Sequence, residues 1–457
     1  MNTTCKSHRA ARVAAHYWIL LAGAWTIASC GANELSGGKD GFSAEEWKLV
    51  LQLEPVKTPP EASPFNEYSN DAAAAELGHE LFFDKGFSSA VKVAGPSGAI
   101  GEVGKVGCTS CHDPEKYFSD SRRSGGMSHG VDYTTRNAPS LVNVAYYYWF
   151  NWGGRADSLM AQGAGTLETS TNSASTRLFV AHRVYAKYKD EYEAIFGPLD
   201  PALDPTAADA ARFPPSGRPK ATPEAPDGPW ELMTSDDRQA VNLLMANVGK
   251  AFEAYEQKLV SGSSPFGRYV LDPETEDFSP AARRGLALFI GKAACNGCHT
   301  GSVLSDQQFH NDGVTQALEE HAPLVDEGRY EDVPALLRNQ FNSAGRYSAD
   351  PEAGAAKLAT VDPEDESTKG QFRTKSLLNV AETSPYFHNG SASTLEEVLQ
   401  HYNRGGGEAG SYSGKLDPKI RPLRLSEDEM SDIISFLRSL TGEPVPQLWR
   451  EDPLAPE

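Results

Sequence analysis

Two copies of the motif Cys-x-x-Cys-His, Cys108-Thr109-Ser110-Cys111-His112 and Cys295-Asn296-Gly297-Cys298-His299, constrain this chain more than any other feature. Each supplies two thiols able to form thioethers to the vinyl groups of a haem, followed at once by an imidazole placed to ligate its iron. The competing readings are a disulfide hairpin or half of a zinc site. A zinc site would want another Cys or His pair at short spacing, and neither copy has one. The two motifs therefore point to two covalently bound c-type haems, one on Cys108, Cys111 and His112, the other on Cys295, Cys298 and His299.

The remaining cysteines agree with this. The chain has 6 cysteines, and the two outside the motifs, Cys5 and Cys30, lie at the N-terminus. There a basic stretch with Lys6, Arg9 and Arg12 precedes an apolar run from Val13 to Ile27, too short for a comfortable membrane span. Residues 1–29 read as a signal peptide. Its end, Ile27-Ala28-Ser29-Cys30-Gly31, resembles a bacterial lipobox, in which Cys30 becomes the lipidated first residue and Cys5 is discarded. That makes an outer-membrane lipoprotein facing the periplasm; ordinary signal cleavage nearby would leave a soluble periplasmic protein.

With 457 residues, and roughly 100–200 per domain, two or three domains fit. The net charge of −20 argues against nucleic-acid binding. An acidic surface would suit a basic partner, but it serves solubility equally. Gly, Pro, Ser and charge dominate residues 31–43 and 54–64, so 30–64 is expected to be a tether. Residues 198–230 hold nine prolines and no periodic apolar pattern, and read as a surface insertion wrapping the first domain. The expected division is an N-terminal haem domain over 65–262, a C-terminal haem domain over 263–445 and a tail over 446–457.

The regular structure is expected to be helical. Thr234 with Asp237 can cap a helix whose apolar positions, from Val241 through Phe252 and Tyr255 to Leu259, follow the three-four spacing of one buried stripe. Ser279-Pro280 starts another that leads to the second haem motif, and residues 72–83 play the same part before the first. Ser426 with Glu429 opens a last helix ending before Gly442. A helix before the motif and another closing the domain is the layout of cytochrome c. The fold class is therefore all-α, with two duplicated cytochrome c-like haem domains packed against each other and joined by long loops.

An internal repeat supports the duplication and separates the two haems. Ser140-Leu141-Val142-Asn143-Val144-Ala145 matches Ser376-Leu377-Leu378-Asn379-Val380-Ala381 at an offset of 236, which also pairs Gly154 with Gly390, Trp152 with His388, and Thr166 with Tyr402. A phenolate can be a sixth ligand to ferric haem, whereas a threonine hydroxyl is a poor one. If these positions face the irons, the second haem is closed by His299 and Tyr402, and the first is open above His112. Otherwise Tyr402 is a buried tyrosine with a bonded hydroxyl.

In order along the chain, Leu77-Gly78-x-x-Leu81-Phe82-Phe83-Asp84, Cys-x-x-Cys-His-Asp-Pro, Arg136-Asn137-Ala138-Pro139-Ser140-Leu141, Trp152-Gly153-Gly154-Arg155-Ala156 and Ser384-Pro385-Tyr386-Phe387-His388-Asn389-Gly390 resemble the bacterial dihaem cytochrome c peroxidase and MauG superfamily. Tyr402 stands where ordinary members carry a methionine ligand, as in MauG. The run from Val248 to Glu256 and the segment from Phe309 to Val314 resemble MbnH-type enzymes, which oxidise a tryptophan on a partner protein. The resemblance implies that peroxide reacts at the open haem and that Trp152 shares the oxidising equivalents between the haems. A core aromatic against the porphyrin is the plainer role for Trp152.

The resemblance also marks departures. Gln162 matches the distal glutamine, but the position of the proton-moving glutamate is Asn172, which cannot shuttle a proton at neutral pH. Either the nearby Glu168 reaches the pocket, or O–O cleavage is slow, or peroxide chemistry has been lost; Glu168 can equally be a solvated loop acid. His129 matches the histidine that reversibly caps the peroxidatic haem in ordinary members, or is an idle loop residue. The family's calcium site maps to the Asn137 side chain and the carbonyls of Thr383 and Pro385; the plainer role of these residues is to shape two turns. Three functions remain open: a peroxide-dependent oxidant of a protein partner, a scavenging peroxidase fed by a small cytochrome or copper protein, and a non-catalytic dihaem electron carrier.

Overall fold

The computed structural model describes residues 39–122, 127–316 and 325–455. The expected signal peptide and Cys30 lie outside the described residues. The chain is mostly helical: α1 Ala44–Gln52, α2 Ala72–Phe83, α3 Leu159–Glu168, α4 Arg177–Lys187, α5 Lys189–Phe196, α6 Ser235–Glu256, α7 Pro265–Leu271, α8 Pro280–Ile290, α9 Arg329–Arg338, α10 Pro351–Leu358, α11 Leu395–Arg404 and α12 Glu427–Arg438. A single antiparallel pair, β1 Phe309–His310 with β2 Phe372–Arg373, is the strand structure among the described residues.

The long helices start where their caps lie in the sequence. The Thr234 hydroxyl accepts from the Asp237 amide at 3.2 Å, and Ser279 accepts from Ala282 at 3.1 Å ahead of Pro280. Ser426 and Glu429 form a reciprocal capping box on α12. Each such cap satisfies an orphan amide and contributes about 1 kcal/mol. The α6 helix stops at Glu256, so Leu259 completes the buried stripe from the turn that follows.

Two apolar cores result. The first gathers α2, α3, α4 and α6 around Leu81, Leu244 and Phe252; the second gathers α7, α8, α11 and α12 around Phe266, Leu286 and Phe436. In each, the helix before a Cys-x-x-Cys-His motif crosses a later helix at a glycine. A methyl group at Gly78 would collide with the Ala251 carbonyl on α6, and one at Gly285 with the Asp432 carbonyl on α12. Glycine is required there because the helices meet backbone to backbone.

The first and last described segments cross over. Residues 30–64 are not a tether throughout, because the Ser43 and Glu46 capping box opens α1, whose Trp47 and Val50, with Leu53 just beyond, bury in the second core. Trp47 stands edge-on to Tyr269 at 5.9 Å. The tail returns to the first core: Tyr255 donates to the Trp449 carbonyl at 2.7 Å, and the Trp449 ring lies 5.5 Å from His79. The proline-rich stretch is likewise anchored, since Leu203, Phe213 and Trp230 bury in the first core. Composition hid these anchors because a few apolar residues at the right spacing suffice to seat an otherwise polar segment.

The repeat is visible in the backbone. Asn143 and Asn379 both adopt left-handed φ of 63° and open short 3₁₀ turns. Bridges Phe150 to Ala156 and Tyr386 to Ala392, and helices α3 and α11, recur at the same offset. Both asparagines reach one residue: their side-chain amides donate to the Ser261 hydroxyl at 2.9 Å and 3.1 Å. Ser261 is thus the joint of the two repeated segments.

Because α1 belongs to the second core, Trp47→Ala should cost about 3–5 kcal/mol. Denaturant unfolding of the variant checks this, and a change under 1 kcal/mol would return residues 42–53 to the role of a tether.

Candidate functional site

Two cavities flank the repeated segments, and each has one Cys-x-x-Cys-His motif in its wall. The second holds 570 Å³, within the about 300–1,000 Å³ typical of ligand cavities. The first holds 150 Å³ and must widen to take a group of the same size. Its walls include Arg155, Gln162 and Lys375, long side chains that can withdraw.

The imidazoles are prepared alike. His112 Nδ1 lies 3.0 Å from the Phe118 carbonyl and His299 Nδ1 lies 3.1 Å from the Leu304 carbonyl. A carbonyl only accepts, so each Nδ1 carries the proton and the Nε2 lone pair is kept for another partner. Phe118 and Leu304 both take left-handed backbone, φ 54° and 48°, which turns their carbonyls back toward the motif. Burial holds both rings below the ordinary histidine range, as a neutral ligand requires. Burial likewise pushes Cys108, Cys111 and Cys295 up to about 12, keeping them as thiols.

The other faces of the cavities differ. Thr166 and Gln162 line the first, the Gln162 amide donating to the Thr166 hydroxyl at 3.0 Å. Tyr402 lines the second, its hydroxyl donating to Asp312 Oδ2 at 3.0 Å. Burial and the Asp312 carboxylate push the phenol well above its ordinary range. Asp312 comes from the loop after β1 and lay unremarked within the segment from Phe309 to Val314.

Trp152 and His388, equivalent in the repeat, meet between the cavities with ring centres 6.3 Å apart. Trp152 lines both cavities, and its indole donates to the Asn137 carbonyl at 2.7 Å. The Asn137 side-chain amide donates to the Pro385 carbonyl at 3.2 Å, so these two expected calcium ligands adjoin, with Thr383 lining the same second cavity. A cation there would need the amide turned to present Oδ1, which now accepts from Ser128 at 3.4 Å.

Two expected site residues do not join the first cavity. Glu168 forms a bidentate pair with Arg177, 3.1 Å to Nε and 2.6 Å to Nη2, and is absent from the cavity wall. It caps the junction of α3 and α4 because Arg177 is itself buried and needs a carboxylate. His129 is 1% exposed and faces away from the cavity between its lining neighbours Ser128 and Gly130, with Nε2 2.9 Å from the Val93 carbonyl. Asn172 does line the cavity. The acid that reaches this wall is Glu256, buried on α6, whose Oε2 has no hydrogen-bond partner among the described residues. Burial raises it well above the usual carboxylate range.

Residues 72–275 match the family model for di-haem cytochrome c peroxidase. The cytochrome-c peroxidase IdrP1 of Denitromonas iodatirespirans is 32% identical over 88% of this chain and 89% of its own. The chain belongs to the dihaem cytochrome c peroxidase and MauG family. The methylamine utilization protein MauG of Methylorubrum extorquens is 26% identical over 93% of this chain and 97% of its own. The crystal structure of a MauG-like protein associated with microbial copper homeostasis superposes with a TM-score of 0.57, at 23% identity over 87% of this chain and 97% of that one, which shows a shared fold. Members of the family carry two c-type haems. This chain is accordingly a dihaem peroxidase-type oxidoreductase.

Since Glu168 is engaged by Arg177, Glu168→Gln should cost about 2 kcal/mol of stability by loosening a charged hydrogen-bonded pair. It should leave peroxide turnover within about twofold, because a stability effect of this size need not touch the barrier. Thermal unfolding alongside steady-state peroxide consumption separates the two; a hundredfold loss of turnover would restore Glu168 to the pocket.

Proposed function

We propose that this chain uses hydrogen peroxide at an open haem on His112, stores a second oxidising equivalent at a haem held by His299 and Tyr402, and oxidises a tryptophan or tyrosine of a protein partner. The observation that carries the reading is the asymmetry at one repeat position, Thr166 in the wall of the first cavity and Tyr402 in the wall of the second. The MauG name of one relative and the copper-homeostasis title of a similar fold favour a protein partner of this kind. The N-terminal sequence fits export, with Cys30 as the lipid anchor of an outer-membrane protein.

The residues present fit two haems c through four cysteines, two prepared imidazoles and buried cations on the cavity walls. Bound there, a haem supplies an iron that accepts peroxide oxygen and holds oxidising equivalents. The chain does the rest. The Phe118 and Leu304 carbonyls orient the two imidazoles through Nδ1. Gln162 offers an amide to orient peroxide, while Asn172 holds no transferable proton. Tyr402 must release its phenolic proton to ligate, and Asp312 Oδ2, which accepts its hydrogen bond, is placed to receive it. Trp152, fixed through its indole N–H, is the aromatic between the cavities through which a hole would pass. The Asn137, Thr383 and Pro385 oxygens would hold calcium at the same junction.

The cytochrome-c peroxidase name of the 32% identical relative favours a second reading, peroxide scavenging with electrons from a small cytochrome or copper protein. Adding peroxide to the diferric protein decides between them. A long-lived near-infrared charge-resonance band, lost in Tyr402→Met, supports partner oxidation. Fast turnover with reduced cytochrome c and no such band supports scavenging. Neither signal, with both haems six-coordinate, would leave an electron carrier.

A further inference from the structure

The 372–375 segment runs between the two cavities and carries two cations without counter-charge. Arg373 is 4% exposed, and its Nε and Nη1 have no hydrogen-bond partner among the described residues. Its guanidinium lies 3.9 Å from the centre of the Tyr147 ring, a contact that supplies no anion. Lys375 is half-buried, with Nζ 4.4 Å from the centre of the Trp152 ring, and has no ion pair among the described residues. Both residues line both cavities.

Asp326 and Asp332 are already committed to a neighbouring cation. Arg136, the third cation of the group, takes Asp326 through two bonds of 2.8 Å and Asp332 at 2.6 Å. Burial, with Arg373 and Arg136 beside it, drives Lys375 well below the ordinary lysine range. A buried guanidinium with two unpaired N–H donors is unfavourable unless an anion reaches it. No described acid pairs with Arg373 or Lys375, Glu256 on the wall of the first cavity included, which leaves both open to an anion carried by what fills the cavities.

Resting on the dihaem reading above, we propose that Arg373 and Lys375 form one shared cationic cradle for the propionate carboxylates of both haems. The chemistry suits the residues: a guanidinium fork matches a carboxylate bidentately, and an ammonium pairs with it as a point charge. The geometry favours sharing, since Arg373 at the end of β2 and Lys375 just beyond it each border both cavities. The propionate edges of the two haems then face each other across residues 373–375, with Trp152 beside Lys375. One cation placed between two haems acts on both irons, disfavouring the ferric state of each.

The test is Arg373→Gln and Lys375→Gln in the full-length holoprotein, with covalent haem counted by pyridine haemochrome and both midpoint potentials measured by spectroelectrochemistry. Two haems per chain, with both midpoints shifted to lower potential in each variant, is the expected result. Arg373→Lys, which keeps the charge, should move them less than Arg373→Gln does. Where Arg373→Gln fails to load haem, Lys375→Gln carries the test alone. Two haems with unmoved midpoints, or a shift confined to one haem, overturns the shared cradle while leaving the dihaem reading intact. Fewer than two haems in the parent protein overturns both.

Discussion

Ser261 receives a hydrogen bond from Asn143 and another from Asn379, and much of the arrangement depends on that joint. Both asparagines sit in left-handed backbone, a conformation that asparagine tolerates and bulkier residues resist. Their backbone amides donate to the Leu259 and Leu440 carbonyls, and their side-chain oxygens accept from the Ser261 and Gly442 amides. The turn after each asparagine leads to the aromatic at the centre, Trp152 in one copy and His388 in the other. Fixing the two turns to one serine brings those rings to 6.3 Å.

The same joint explains why the two cavities share walls. Asn137, Trp152, Arg373 and Lys375 each border both. A charge or a ring placed there acts on two sites at once, which a pair of independently folded domains would not allow. Arg136 strengthens the junction by tying the first repeat to Asp326, Glu331 and Asp332 of the second half. The exchanged ends, α1 on the second core and Trp449 on the first, work in the same direction.

Local chemistry made much of this readable in advance. Helix starts at Thr234, Ser279 and Ser426 follow from caps that act within one turn. The motif histidines and the unequal pair Thr166 and Tyr402 follow from spacing and the repeat. What local patterns could not place were Glu168, weighed for its nearness to Asn172, and His129, weighed for its match to the family's capping histidine. Glu168 lies four residues from Asn172, yet it is bound to Arg177, and His129 is turned toward Val93 while its two neighbours line the cavity. Segments judged by composition misled too, since Trp47 and Phe213 each anchor a stretch that otherwise reads as solvent-exposed.

By itself the sequence determined two haem-attachment motifs, a mainly helical chain and a repeat whose copies carry Thr166 and Tyr402 at one equivalent position, because each rests on short-range spacing or on residue identity. Tertiary structure alone decided which side chains face the cavities. It seated both chain ends on the opposite cores, turned Glu168 away, brought Asp312 to Tyr402 and Glu256 to the first cavity, and left Arg373 buried without an acid. Those outcomes depend on contacts between residues far apart in the chain, and on which buried charge finds a partner first; no local pattern encodes either.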